Sequence, residues 1–153
     1  MSFAADLHIG QDIELKVLAL IQRKYPCACI VDRFKGYDIW IPELHKSVEV
    51  KYDVMSCQTG NMVIEIEFNG KPSALMTTTA DHWIFYDGVK YLWITPTQII
   101  HCIFMNKLQY VEFVGKGDTK PKKAFLIAKD ALFLYGKVYT SKESQYEHEK
   151  VYR

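Results

Sequence analysis

From Ser47 to Asp53 the chain alternates without a break: Val48, Val50 and Tyr52 fall on one side, and Ser47, Glu49, Lys51 and Asp53 on the other. A two-residue period belongs to the β-strand, so this segment reads as a strand with one apolar and one charged face. Asn61–Phe68 repeats the pattern, with Ile64, Ile66 and Phe68 opposite Glu65 and Glu67. Strands of this kind need a layer over their apolar side. The helical spacing of Ile13, Val17, Leu18, Leu20 and Ile21 between Gly10 and Tyr25 supplies one. Asp12 favours that helix's start through the dipole, and Pro26 stops it.

The remaining punctuation follows the same logic. Cys27–Asp32 and Tyr37–Ile41 read as strands around the turn at Lys35-Gly36, the second closed by Pro42. A helix is expected between Phe68 and His82. Two apolar runs, His82–Tyr86 and Tyr91–Ile94, flank Asp87-Gly88, a hairpin signal. Thr95 caps a helix that Pro96 opens and that runs to about Asn106. Then come a strand at Tyr110–Val114, a polar loop over Gly115–Lys123, a strand at Phe125–Ile127 and a short helix from Lys129. The order predicts an α/β fold, a central mixed β-sheet flanked by helices, in one domain over residues 1–140. Residues 141–153 form a polar C-terminal tail.

With 49% hydrophobic and 24% charged residues, the 153-residue chain is neither a disordered segment nor a coiled coil. No apolar run nears the ~20 residues of a membrane span, and no leader pattern opens the chain, so a cytoplasmic protein without membrane contact is expected. The four cysteines lack the paired spacing of a zinc ribbon and read as reduced, mostly buried thiols. The five histidines form no metal-binding spacing. A formal net charge of +1 excludes a protein that coats nucleic acid simply by being basic.

The chemistry-bearing segment is Gly36-Tyr37-Asp38-Ile39, followed after ten residues by Glu49-Val50-Lys51. A hairpin would bring Asp38 and Glu49 together, and two neighbouring carboxylates repel unless a cation lies between them. Oxygen ligands with an incomplete shell suit Mg²⁺, with Mn²⁺ as a possible substitute. Lys51 beside them would hold an attacking water or stabilise phosphorane-like charge. Glu14 lies within the apolar stripe of the first helix, where a carboxylate needs a partner. A metal site beside the sheet would provide it.

A helix with an inward Glu14, then Asp38, then Glu49-Val50-Lys51 on the next strand resembles the PD-(D/E)xK nuclease superfamily. The proline before the aspartate in the family's pattern is Tyr37 here. A second block, from Thr59 to Ser73-Ala74 and on through Thr78-Thr79-Ala80-Asp81-His82-Trp83, is similar to small phage-encoded and Holliday-junction-resolvase-like nucleases. The resemblance implies a restriction-endonuclease-like core and metal-dependent hydrolysis of DNA. It implies Glu14, Asp38 and Glu49 as metal ligands and Lys51 as the fourth catalytic residue.

Around this core, Arg33, Lys35, Lys116 and Lys120, with the hydroxyls of Ser73 and Thr78, are candidate contacts to the nucleic-acid backbone. Lys16, Arg23, Lys24, Lys122 and Lys123 extend the basic patches, and Glu65 or Glu67 could join the site. The expected activity is that of a structure-selective, homodimeric DNA endonuclease of the Holliday-junction-resolvase type, since a C2 dimer offers two sites to two symmetric strands. The alternatives are a site-specific restriction or homing endonuclease on the same fold, a catalytically silent DNA-binding module, and an RNA-directed nuclease.

Overall fold

The computed structural model describes residues 3–31, 36–53 and 55–140. Within them the chain runs α1 (Phe3–Gln22), β1 (Cys29–Ile30), β2 (Ile39–Ile41), β3 (Lys46–Tyr52), α2 (Ser56–Thr59), β4 (Asn61–Phe68) and β5 (Lys71–Pro72). A 3-10 turn at Ala74–Met76 leads to β6 (His82–Tyr86), β7 (Lys90–Ile94), α3 (Pro96–Met105), β8 (Val111–Val114), β9 (Pro121–Ala128), α4 (Lys129–Phe133) and β10 (Lys137–Thr140). Six strands form the central sheet in the order β1-β2-β3-β6-β7-β10, and four form a second sheet, β5-β4-β9-β8. The fold is α/β. The central sheet is mixed, because β3 and β6 are parallel while its other neighbours are antiparallel.

Period two divides the central sheet between two cores. On one face Ile39, Ile41, Val48, Ile84 and Tyr91 meet Ile13, Val17 and Ile21 of α1, which recur every four residues along the helix. On the other, Trp83, Phe85, Leu92 and Ile94 meet Met62 and Ile64 of β4, Ile127 of β9, Ile99 and Cys102 of α3, and Leu132 of α4. Each such side chain contributes roughly 1.5–3 kcal/mol on burial, so both layers are needed to hold the sheet. Tyr52, Tyr86 and Tyr91 stack in register across β3, β6 and β7, with ring centroids 5.7 and 4.6 Å apart. Thr95 caps α3 reciprocally with Gln98, as the Thr-Pro start implies.

Several boundaries differ from the sequence expectation. α1 begins at Phe3 rather than Gly10, carried by helix formers such as Ala4, Ala5 and Leu7. β1 is only Cys29–Ile30, and β2 begins after Asp38. The helix expected before His82 is a single 3-10 turn, entered through Ala74 at φ 45°. The loop expected over Gly115–Lys123 ends earlier, because β9 starts at Pro121 and pairs Lys122 and Lys123 with Phe68 and Glu67. Proline is tolerated at a strand's first residue. β10 was not anticipated, and neither was the separation of β4 and β9 into a second sheet. Three of the four cysteines, Cys27, Cys29 and Cys57, are exposed, and only Cys102 is buried, which corrects the expectation of mostly buried thiols. Cys29 sits on the edge strand and Cys57 on the short surface helix α2. The tail at 141–153 lies outside the described residues. Among those described, no helix is long and apolar enough to cross a membrane.

One ion pair ties the two sheets together. Asp87, 2% exposed in the β6–β7 turn, accepts from the N–H groups of Val89 and Lys90, both at 2.7 Å. It also meets Lys129 Nζ, at the start of α4, at 2.8 Å. Burial pushes the Asp87 carboxyl up, but Lys129 and the two N–H groups outweigh it and hold it below its ordinary value. Its stabilisation is therefore complete above the ordinary carboxylate range and is lost as pH falls through the lowered value. Asp87→Ala is expected to cost ~2–3 kcal/mol in urea unfolding at neutral pH, because it removes the acceptor of two turn N–H groups and the partner of Lys129. The loss should shrink in acid. A cost under ~1 kcal/mol would contradict this role.

Candidate active site

The β2–β3 hairpin assembles the site. Its register pairs Ile39 with Val48, and one step further along sets Asp38 opposite Glu49. The Asp38 N–H donates to the Val48 carbonyl at 2.9 Å, and the Val50 N–H donates to Asp38 Oδ2 at 2.7 Å. The Asp38 carboxylate is thus pinned along β3. Lys51 Nζ lies 3.2 Å from Glu49 Oε1, the pair being half-buried. Since Ile39 and Val48 point into the α1 core, Asp38, Glu49 and Lys51 belong to the opposite face of the sheet.

Trp83 forms the floor on that face. It pairs with Glu49 across the parallel β3–β6 ladder, and Lys51 Nζ lies 5.1 Å from its ring centroid. A cation over an indole is worth ~0.5–2 kcal/mol, depending on desolvation. The Trp83 Nε1–H donates to Thr78 Oγ1 at 3.0 Å.

Both carboxyls are electrostatically uncomfortable. Burial pushes the Asp38 carboxyl above its ordinary value, against the Val50 N–H and the Lys51 charge. Burial likewise raises Glu49, Lys51 opposes this, and the Asp38 charge adds to it. A pair so raised gains from any cation that joins it.

The other expected residues are distributed as follows. Glu14 is half-buried on α1, whose core row Ile13, Val17 and Ile21 packs on the far face of the sheet, and it has an interaction of its own. Among the described residues, no three His, Cys, Asp or Glu side chains gather closely enough to hold a metal. The expected trio of Glu14, Asp38 and Glu49 is therefore not assembled here, and the pair Asp38–Glu49 is. Glu65 accepts from Ser73 Oγ at 2.8 Å and lies 3.6 Å from Lys122 Nζ, while Glu67 pairs with Lys123 at 3.1 Å. Those two acids are engaged on the second sheet. Thr78 accepts from Trp83 and from the Ala80 N–H. Lys116 and Lys120 are exposed in the β8–β9 loop, and Asp118 of that loop pairs with Lys122 at 3.0 Å. Arg33 and Lys35 lie outside the described residues. Trp83 was not singled out from the sequence. Its place in the apolar run His82–Tyr86 reads as core, and only the strand pairing brings Lys51 over it.

The residues fit a magnesium-type ion in part. Two adjacent oxygen donors match an ion that takes one or two carboxylates and keeps its waters. Their raised carboxyls are what such a charge would relieve.

Because the folded state holds the Asp38 proton more tightly than the unfolded chain, Asp38 costs stability as pH rises from the ordinary carboxylate range through its raised value. Asp38→Asn keeps an acceptor for the Val50 N–H and removes the charge. Its Tm at pH 7 is expected to exceed that of the natural chain by ~2–4 °C for each ~1 kcal/mol relieved, and the gap should close near pH 4. Mg²⁺ should raise the Tm of the natural chain more than that of the variant. An Asp38→Asn protein that melts lower at pH 7, with the same Mg²⁺ response, would contradict the electrostatic account.

No protein-family model matches the chain, and no curated protein matches its sequence.

Proposed function

We propose that this chain is a metal-dependent DNA endonuclease with a restriction-endonuclease-like core, selective for branched DNA and acting as a homodimer. The observation that carries the reading is the joining of Asp38, Glu49 and Lys51 on one face of the β2–β3 hairpin, away from the face that α1 covers. The Asp38…Glu49-Val50-Lys51 resemblance to PD-(D/E)xK nucleases supports it.

In this reading Asp38 and Glu49 hold Mg²⁺. When bound, the ion supplies Lewis acidity toward the phosphate and a lowered pKa for a bound water. The protein's own contributions are separate. The Val50 N–H keeps the Asp38 carboxylate turned toward Glu49. Lys51, over the Trp83 ring, presents a fixed ammonium to a phosphate oxygen or an incoming water, where charge develops in the transition state. The β8–β9 loop, with Lys116 and Lys120, is tied through Asp118, Lys122 and Glu65 to Ser73, which precedes the 3-10 turn leading toward Trp83. It suits contact with a neighbouring phosphate backbone. The described chain is taken up by two sheets and four helices, which favours reading DNA by shape over reading base edges.

Lys51→Ala and Glu49→Gln are expected to lose cleavage by on the order of 10²–10³-fold with Mg²⁺ while still binding DNA in its absence. In a gel assay, a four-way junction should be cut in preference to linear duplexes of the same sequences. Equal cutting would favour the site-specific alternative. Absence of cutting on branched and linear DNA with Mg²⁺ and Mn²⁺ would overturn the enzyme reading in favour of a silent binding module.

A further inference from the structure

The segment between the 3-10 turn and β6 does more than connect two strands. Thr78 Oγ1 receives the indole N–H of Trp83 at 3.0 Å and the Ala80 N–H at 3.2 Å. The Thr79 hydroxyl donates to the Gly36 carbonyl at 3.3 Å, two residues before Asp38. Asp81 Oδ2 accepts from the Ser47 N–H at 2.9 Å and from its hydroxyl at 3.1 Å, two residues before Glu49. Three consecutive polar side chains, apart from the small Ala80, thus reach the three places that carry the site. Trp83 is 2% exposed, so its indole N–H needs a buried acceptor, and Thr78 is that acceptor. The bond anchors the Nε1 edge of an indole whose ring Lys51 Nζ meets at 5.1 Å.

We propose that Thr78 and Trp83 are positioning residues for Lys51: the Thr78 hydroxyl fixes the indole, and the indole face fixes the ammonium between Glu49 and the reacting phosphate. This rests on the nuclease reading for its kinetic consequence, but not for its geometry. A lysine held only by Glu49 would swing with that carboxylate and be drawn away as the carboxylate turns to a metal ion. The aromatic face gives it a second support that a divalent ion does not compete for. Thr78 keeps its own hydroxyl proton in this arrangement, so a role toward phosphate and a role toward Trp83 are compatible.

The test is Thr78→Val, which keeps the shape and removes the hydroxyl, beside Thr78→Ser, which restores it. In the natural chain, the Lys51 ε-methylene protons are expected upfield in NMR from the indole ring current. That shift should collapse in Thr78→Val and return in Thr78→Ser. The kcat for Mg²⁺-dependent DNA cleavage should fall ~10–100-fold in Thr78→Val with KM unchanged, and recover in Thr78→Ser. If Thr78→Val fails to fold, Trp83→Phe serves, keeping a ring but not the bond to Thr78, with a reduced shift and lowered kcat expected. An unshifted Lys51 in the natural chain, or a shift and kcat untouched by the variant, would overturn the proposal. A natural chain that shows the shift but cuts no DNA would overturn the nuclease reading and leave the positioning device standing.

Discussion

The parallel pairing of β3 with β6 is the constraint on which the rest depends. Two strands that run the same way cannot be joined by a tight turn, so the chain between Tyr52 and His82 has to cross the sheet. In this protein the crossover carries α2, β4, β5 and the 3-10 turn. β4 finds its partner in β9, from much later in the chain, and the second sheet results. The crossover thereby becomes the second core layer, and its return leg, Thr78–Asp81, ends against β6, where it buttresses the site.

That layering explains why charged residues persist in the middle of the central sheet. Val48 and Val50 satisfy the α1 core, which leaves Glu49 and Lys51 facing a layer that could have been wholly apolar. Both acids are kept where burial raises their carboxyls. Such an arrangement is unfavourable for the fold alone and is typical of places where a cation or a proton is handled. The fully satisfied Asp87–Lys129 pair is the contrast: there, burial is outweighed by two N–H groups and a lysine, and the carboxyl is lowered. In one place the fold's own partners outweigh burial; at Asp38 and Glu49, Val50 and Lys51 only partly offset it.

Legibility in the sequence followed the range of each interaction. β4, β6 and α3 were placed from their own residues, because alternation, the Asp87-Gly88 turn and the Thr95 cap act over a few positions. The Asp38–Glu49 neighbourhood followed too, since a hairpin with a near turn has few registers that bury Ile39 and Val48 together. Glu14 shows where such inference stops. Its place in an apolar stripe was visible, but which face of the sheet α1 covers was not, and that face is opposite the one carrying Asp38 and Glu49. β9 was read short because Lys122 and Lys123 look like loop residues until Glu65, Asp118 and Glu67 are brought beside them.

The sequence by itself determined the strand faces, the capped start of α3 and the pairing of two acids with a lysine, because these depend on side-chain period and short-range turn chemistry. Only the tertiary structure decided that β4 and β9 leave the central sheet, that Trp83 lies under Lys51 and that Thr78 holds Trp83. These contacts join residues whose separation along the chain carries no periodic signal. They are selected by which apolar faces can be buried together, a property of the whole packed chain.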